Sequence, residues 1–134
     1  LQTNTTLTSL KLSRNRLQSN DILHLVKVLK EGTNNTLRLL DLNNNCIDDD
    51  GMQAIALALP KMHCLQKLLM LNHVIHQDVT ARLLLKGMQL NTHLEVFELD
   101  PTLPGYNEMQ LCCALNRAGR QLLTTSQHVP LALW

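Results

Sequence analysis

The sequence predicts an α/β solenoid, in which strand and helix alternate so that the strands line up as one parallel sheet on the concave side and the helices lie on the convex side. Three observations predict it. Four segments superimpose: LTSLKLSRNRL from Leu7, LRLLDLNNNCI from Leu37, LQKLLMLNHVI from Leu65 and, less closely, LEVFELDPTLP from Leu94. Their second apolar positions, Leu10, Leu40, Leu68 and Phe97, lie 30, 28 and 29 residues apart, and self-similarity at such a period marks a stack of repeated units. Within one unit the hydrophobic period also changes, from two to about 3.6, which is the signature of a strand followed by a helix.

The strand reading rests on alternation. Leu10 and Leu12 flank Lys11, and Leu40 and Leu42 flank Asp41, so the leucines share one face and the polar residue takes the other. The helix reading rests on Ile22, Leu25, Val26 and Leu29 in the first unit and Ala54, Ile55, Ala58 and Leu59 in the second. Ser19, Asn20 or Asp21 is expected to cap the first helix, while Asp48, Asp49 and Asp50 put negative charge at the positive end of the second. Gln77 and Asp78 are expected to do the same in the third unit. Asn15 and Asn45 fall where the chain leaves the strand, and an amide there can bond the backbone of the bend and of a neighbouring coil. His73 and Thr102 occupy the corresponding places later, so this ladder is expected to weaken toward the C-terminus.

The pattern L-x-x-L-x-L-x-x-N-x-L, in units long enough for a full helix, resembles the leucine-rich repeats of the ribonuclease-inhibitor type along nearly the whole chain. Residues 1–105 then hold about four repeats, the first beginning in mid-array because LQTNTTL at the start matches MQLNTHL from Met88. Residues 106–134 form a last helix, from Tyr106 to Ala118 and ended by Gly119, followed by a C-terminal cap with Leu122, Leu123, Val129, Leu131, Leu133 and Trp134. The segments LNRAGRQLL and PLALW resemble the closing part of ribonuclease-inhibitor-like proteins.

Composition narrows the function classes. At 134 residues the chain is one domain, and its hydrophobic 45% is almost entirely aliphatic, with one Phe, one Tyr and one Trp. A net charge of +1 on mixed charges, with so few aromatics, supplies neither the basic stripe nor the stacking platform that nucleic-acid binding uses. No apolar run reaches the roughly 20 residues of a spanning helix, so membrane insertion is not expected. Cys46, Cys64, Cys112 and Cys113 lack C-x-x-C spacing and read as buried free thiols, which suits a reducing, intracellular location, cytoplasmic or organellar. The N-x-Thr sequons at Asn4 and Asn34 read as coincidental.

Catalytic readings are weak. His73 and His76 form H-x-x-H and His63 adjoins Cys64, but these fall in turns whose spacing follows the coil, and Asp48-Asp49-Asp50-Gly51 lacks the spaced acids of a calcium loop. No Gly-rich phosphate cradle is present, so neither enzyme activity nor a cofactor is expected.

What remains is a surface. Alternation turns Ser9, Lys11 and Ser13, then Leu39, Asp41 and Asn43, then Lys67, Leu69 and Leu71, then Val96, Glu98 and Asp100 away from the core. Leu39, Leu69, Leu71 and Val96 are expected to be exposed as one apolar patch bordered by Lys11, Lys67, Asp41 and Glu98, and such a patch calls for a protein partner. The chain is thus expected to be a protein-interaction scaffold, free-standing or part of a larger assembly. The resemblance also implies two rivals: a GTPase-activating protein of the Ran type, and the ligand-sensing repeats of a multi-domain receptor.

Overall fold

Strands of three residues cannot stand alone, and the architecture shows what supports them. The computed structural model describes residues 1, 3–31, 34–73 and 75–119. Four strands, β1 (Ser9–Lys11), β2 (Leu39–Asp41), β3 (Lys67–Leu69) and β4 (Val96–Glu98), alternate with four helices, α1 (Ser19–Lys30), α2 (Asp49–Ala58), α3 (Asp78–Leu90) and α4 (Tyr106–Arg117). A short 3-10 turn, Leu59–Lys61, prolongs α2. The strands form one parallel sheet in chain order. Leu10 pairs with Leu40, Leu40 with Leu68 and Leu68 with Phe97, so the positions that recur in the sequence are side by side in space.

That register builds the core. Leu40, Leu68 and Phe97 form one buried row and Leu42, Met70 and Leu99 a second, with Ile22, Met52, Ile55, Leu84, Met88 and Met109 closing over them from the helices. Leu7, Leu10, Leu12, Leu17 and Leu25 of the first coil are only half-buried, because among the described residues the first coil is covered by a neighbour on one side. Helix α3 approaches α2 so closely at Gly87 that a Cβ there would collide with the Ala56 carbonyl oxygen. Gly105 precedes α4 with a φ of +78°, a left-handed conformation that glycine adopts without steric cost.

Helix starts differ in detail from expectation. The residue capping α1 is Gln18, not Ser19, Asn20 or Asp21; the Asp21 carboxylate instead accepts from the Gln18 N–H at 2.9 Å. Asp48 caps α2 by accepting from the N–H groups of Asp50 and Gly51, and the Ser19 hydroxyl donates to it from the preceding coil. Asp49 is buried and accepts from the N–H groups of His76 and Gln77 at 3.0 and 3.3 Å, which ties α2 to the start of the third helix. Gln77 begins α3 without a side-chain cap.

The two turn asparagines are not equivalent. Buried Asn45 donates to the carbonyls of Leu12 and Leu42 at 2.9 and 2.8 Å and accepts from the N–H groups of Asn15 and Leu17 at 3.0 and 3.1 Å. The exposed Asn15 side chain donates to the Ser13 carbonyl of its own turn, and among the described residues no strand lies on the outer side of β1 for it to reach. At the helix-to-strand bends the same device recurs: Asn34 donates to the Leu1 and Asn4 carbonyls and accepts from Thr36 and Leu37. Asn91 donates to the Leu59 and Met62 carbonyls and accepts from His93 and Leu94. Asn34 of the second sequon is therefore a buried scaffold residue. The C-terminal cap expected over 106–134 falls on described residues only as far as Gly119.

Asn45→Ala leaves the half-buried Leu12 carbonyl and the Asn15 and Leu17 N–H groups without their side-chain partner, while the Leu42 carbonyl keeps His73, and should cost about 2 kcal/mol in urea unfolding, since each orphaned buried group costs roughly 1–3 kcal/mol and water recovers part. Asn15→Ala should cost less than about 1 kcal/mol. Equal losses in the two variants would remove the inter-coil role given to Asn45.

Candidate functional site

The sheet register arranges the outward side chains into rows. One row runs Ser9, Leu39, Lys67, Val96, and the next runs Lys11, Asp41, Leu69, Glu98. Beyond the strands the ladder continues, with the Arg14 N–H donating to Asn43 and the Asn44 N–H to Leu71, so Asn43 and Leu71 begin a third row. Adjacent strands lie about 4.8 Å apart and diagonal neighbours about 7 Å. Leu39, Leu69 and Val96 are thus diagonal neighbours with Lys67, Asp41 and Glu98 interleaved, and Leu71 follows Leu69 along its own strand.

The apolar members are half-buried rather than exposed: Leu39, Leu69, Leu71 and Val96 all keep intermediate accessibility, whereas Lys11 and Lys67 are open to solvent. Some polar groups are already engaged. The Asp41 carboxylate accepts from the Asn43 N–H at 3.0 Å, and the Asn43 side-chain oxygen accepts from the Leu71 N–H at 2.6 Å. Asp100 accepts from the Thr102 backbone and hydroxyl, which hold its carboxyl below the usual carboxylate range. The face thus presents half-buried apolar side chains interleaved with charges of both signs.

The other singled-out groups do not converge. His73 is buried, with its Nε2 3.0 Å from the Leu42 carbonyl oxygen. It stands where Asn45 stands one coil earlier and donates to the same carbonyl. His76 is exposed and donates its backbone N–H to Asp49. His63 meets His93 edge to face at 5.5 Å between ring centroids, and burial together with the charge of His63 lowers the His93 pKa. Among the described residues no group of three His, Cys, Asp or Glu side chains could hold a metal ion.

The cysteines are all free, but not all buried as expected. Cys112 and Cys113 are buried on the inner side of α4, Cys64 is half-buried at a bend, and Cys46 is exposed, because it lies one position before the inward Ile47. Burial pushes the Cys113 thiol up to about 11, which leaves it protonated and unsuited to nucleophilic work at neutral pH.

A family profile described as "Leucine Rich repeat" matches residues 3–25 and 33–56, the first two coils. The fold is a leucine-rich-repeat solenoid. Among solved structures, the "Leiomodin-1 Actin-Binding Site 2" superposes with a TM-score of 0.79 over 92% of this chain and 72% of that one, at 23% identity. A comparison with curated protein sequences yields no match. No helix among the described residues is long and apolar enough to cross a membrane.

His73 makes the joint between the second and third repeats sensitive to pH. Burial lowers its pKa from 6.5, against the Leu42 and Asn45 carbonyls, which favour the proton, and its Nδ1 has no hydrogen-bond partner. A folded value below the unfolded one means that the unfolded chain takes up the proton first. The stabilisation is therefore complete above pH 6.5 and is lost as pH falls below it. Urea midpoints should drop between neutral and mildly acidic pH, well above the carboxylate range. His73→Asn, which restores the repeat's usual donor, should flatten that dependence, the remainder coming from His93. An unchanged slope would show that His73 is not its main source.

Proposed function

We propose that this leucine-rich-repeat domain is a protein-binding module of the ribonuclease-inhibitor type whose partner docks on the concave sheet. Lys11, Leu39, Asp41, Asn43, Lys67, Leu69, Leu71, Val96 and Glu98 form the contact face. The carrying observation is the register. It sets three half-open aliphatic side chains in a zigzag across β2, β3 and β4, Leu39 and Val96 in one row and Leu69 in the next, with charges of both signs between them. An apolar centre with interleaved charges suits a partner that buries the leucines and matches the charges for orientation. Binding needs no chemistry from the chain, consistent with a non-enzymatic role.

Leiomodin-1 supports the reading at the level of its printed description, in which a domain of this fold is an actin-binding site. Actin is accordingly a reasonable first candidate for this chain, to be tested by co-sedimentation with filaments beside proteins that co-purify from the native source.

With a partner in hand, the double variant Leu69→Asp, Leu71→Asp should keep the far-UV spectrum and melting behaviour of the native domain while weakening capture at least about tenfold, the loss expected when central apolar contacts are replaced by charge. Capture at native affinity would move the site off this face.

A further inference from the structure

The helices carry a second surface that the concave reading does not use. Leu23 of α1 and Leu57 of α2 are 49% and 68% exposed, although the inward stripes of both helices are already filled by Ile22, Val26, Leu29, Met52 and Ile55. They face one another across a cleft of about 240 Å³ floored by Val26, Ala54 and Ala58 and bordered by Lys27 and Lys30. Leu23, Lys27 and Lys30 are spaced four and three residues apart, so they form one stripe of α1. Leu57 supplies the apolar side chain on the α2 side of the same cleft. At the opposite end, Leu23 also lines a second concavity with Asp48 and Asp50. The groove between α1 and α2 therefore runs from acidic, through leucine, to basic, and neither Lys27 nor Lys30 has an ion-pair partner among the described residues.

We infer that this convex groove is a docking site for an amphipathic helix of a partner protein, lying antiparallel to α1 and α2 with carboxylates in its first turn. Charge complementarity chooses the occupant and its direction. Helices α1 and α2 point the same way, so their negative ends lie together, with Lys27 and Lys30 at the mouth of the cleft. An antiparallel helix brings its positive N-terminus to those ends, and the Asp or Glu residues that stabilise such an N-terminus meet the two lysines. Its basic last turn then reaches Asp48 and Asp50. From Leu23 to Lys30 the groove is about 10 Å long, or two helical turns, which accommodates apolar anchors spaced four residues apart.

The test uses the full chain and two labelled peptides of about 15 residues, a length at which isolated helices become sustainable. The first has Glu in its opening turn, Leu on one face and Lys in its closing turn; the second has the same composition with Glu and Lys exchanged. In fluorescence anisotropy the first should bind saturably and at least about tenfold more tightly than the second. Leu57→Asp and the double variant Lys27→Ala, Lys30→Ala should each weaken it at least about fivefold with unchanged circular dichroism. Leu69→Asp with Leu71→Asp should bind it normally, which separates this site from the concave one. Absence of saturable binding, equal affinity for the two peptides, indifference to Leu57→Asp, or loss in the concave variant would overturn the proposal. So would sedimentation with phosphatidylserine vesicles without peptide binding, which would assign the basic leucine-bearing face to lipid instead.

Discussion

The whole molecule depends on one constraint: no coil can bury its own strand or satisfy its own bends, so each must lend both to the next. A three-residue strand gains its stability from the pairing on either side, and the row from Leu40 through Leu68 to Phe97 is buried only because the strands stand in register. This is the general logic of repeat proteins, in which stability is carried by contacts between neighbours. The half-buried leucines of the first coil display it by contrast. Leu10 and Leu12 have the same chemistry as Leu40 and Leu42, and differ from them in having β1's one neighbour instead of two.

Hydrophobic burial sets the spacing of the coils, but buried amides determine how they join. Asn45 at one edge of the sheet, and Asn34 and Asn91 at the other, each use both ends of the side chain. In Asn34 and Asn91 the oxygen closes a local bend and the NH2 reaches carbonyls of the preceding coil, whereas in Asn45 the oxygen takes N–H groups of the preceding coil and the NH2 bridges one carbonyl of each coil. Four hydrogen bonds from one side chain, in a place that water reaches poorly, leave little freedom for one coil to slide on the next. Where His73 replaces Asn, the inter-coil bond to Leu42 survives but Nδ1 is left without a partner. Where Thr102 replaces it, the hydroxyl turns back to Asp100 of its own coil. The link thus becomes poorer along the chain for reasons of side-chain reach and donor number.

Much of this was legible before any coordinates. The 30, 28 and 29 residue intervals carried the strand register, because a stack aligns equivalent positions. Helix phases were legible from Ile22, Val26 and Leu29. The opening and closing residues were less so: whether Gln18 or Ser19 begins α1 depends on how Asp21 and Asp48 share the available N–H and hydroxyl groups, which is a tertiary matter. The bend role of Asn34 is hard to see in one copy, because the same residues also spell a sequon. The similar segments NTTL, NNTL and NTHL, from Asn4, Asn34 and Asn91, held the signal. Alternation identified the outward face of the sheet, yet not its degree of exposure, because residues above and below on neighbouring strands cover half of each leucine.

Two faces follow from two independent phases, and each can change without disturbing the core. On the sheet, the outward residues are every second one; on the helices, they are those a third of a turn or more from the buried stripe. Because all helices of a stack point the same way, helix-dipole chemistry alone sorts acids to one border of the convex side, as Asp21, Asp50, Asp78 and Glu108 show, and bases to the other, as Lys27, Lys30 and Arg117 show. That ordering helps each helix and implies no partner. Leu23 and Leu57 are different in kind: a leucine half or more exposed gains nothing from the dipole and little from the core. Their position between the acidic and basic borders of a single groove is what converts an ordinary charge gradient into a surface with an apolar centre and a defined direction.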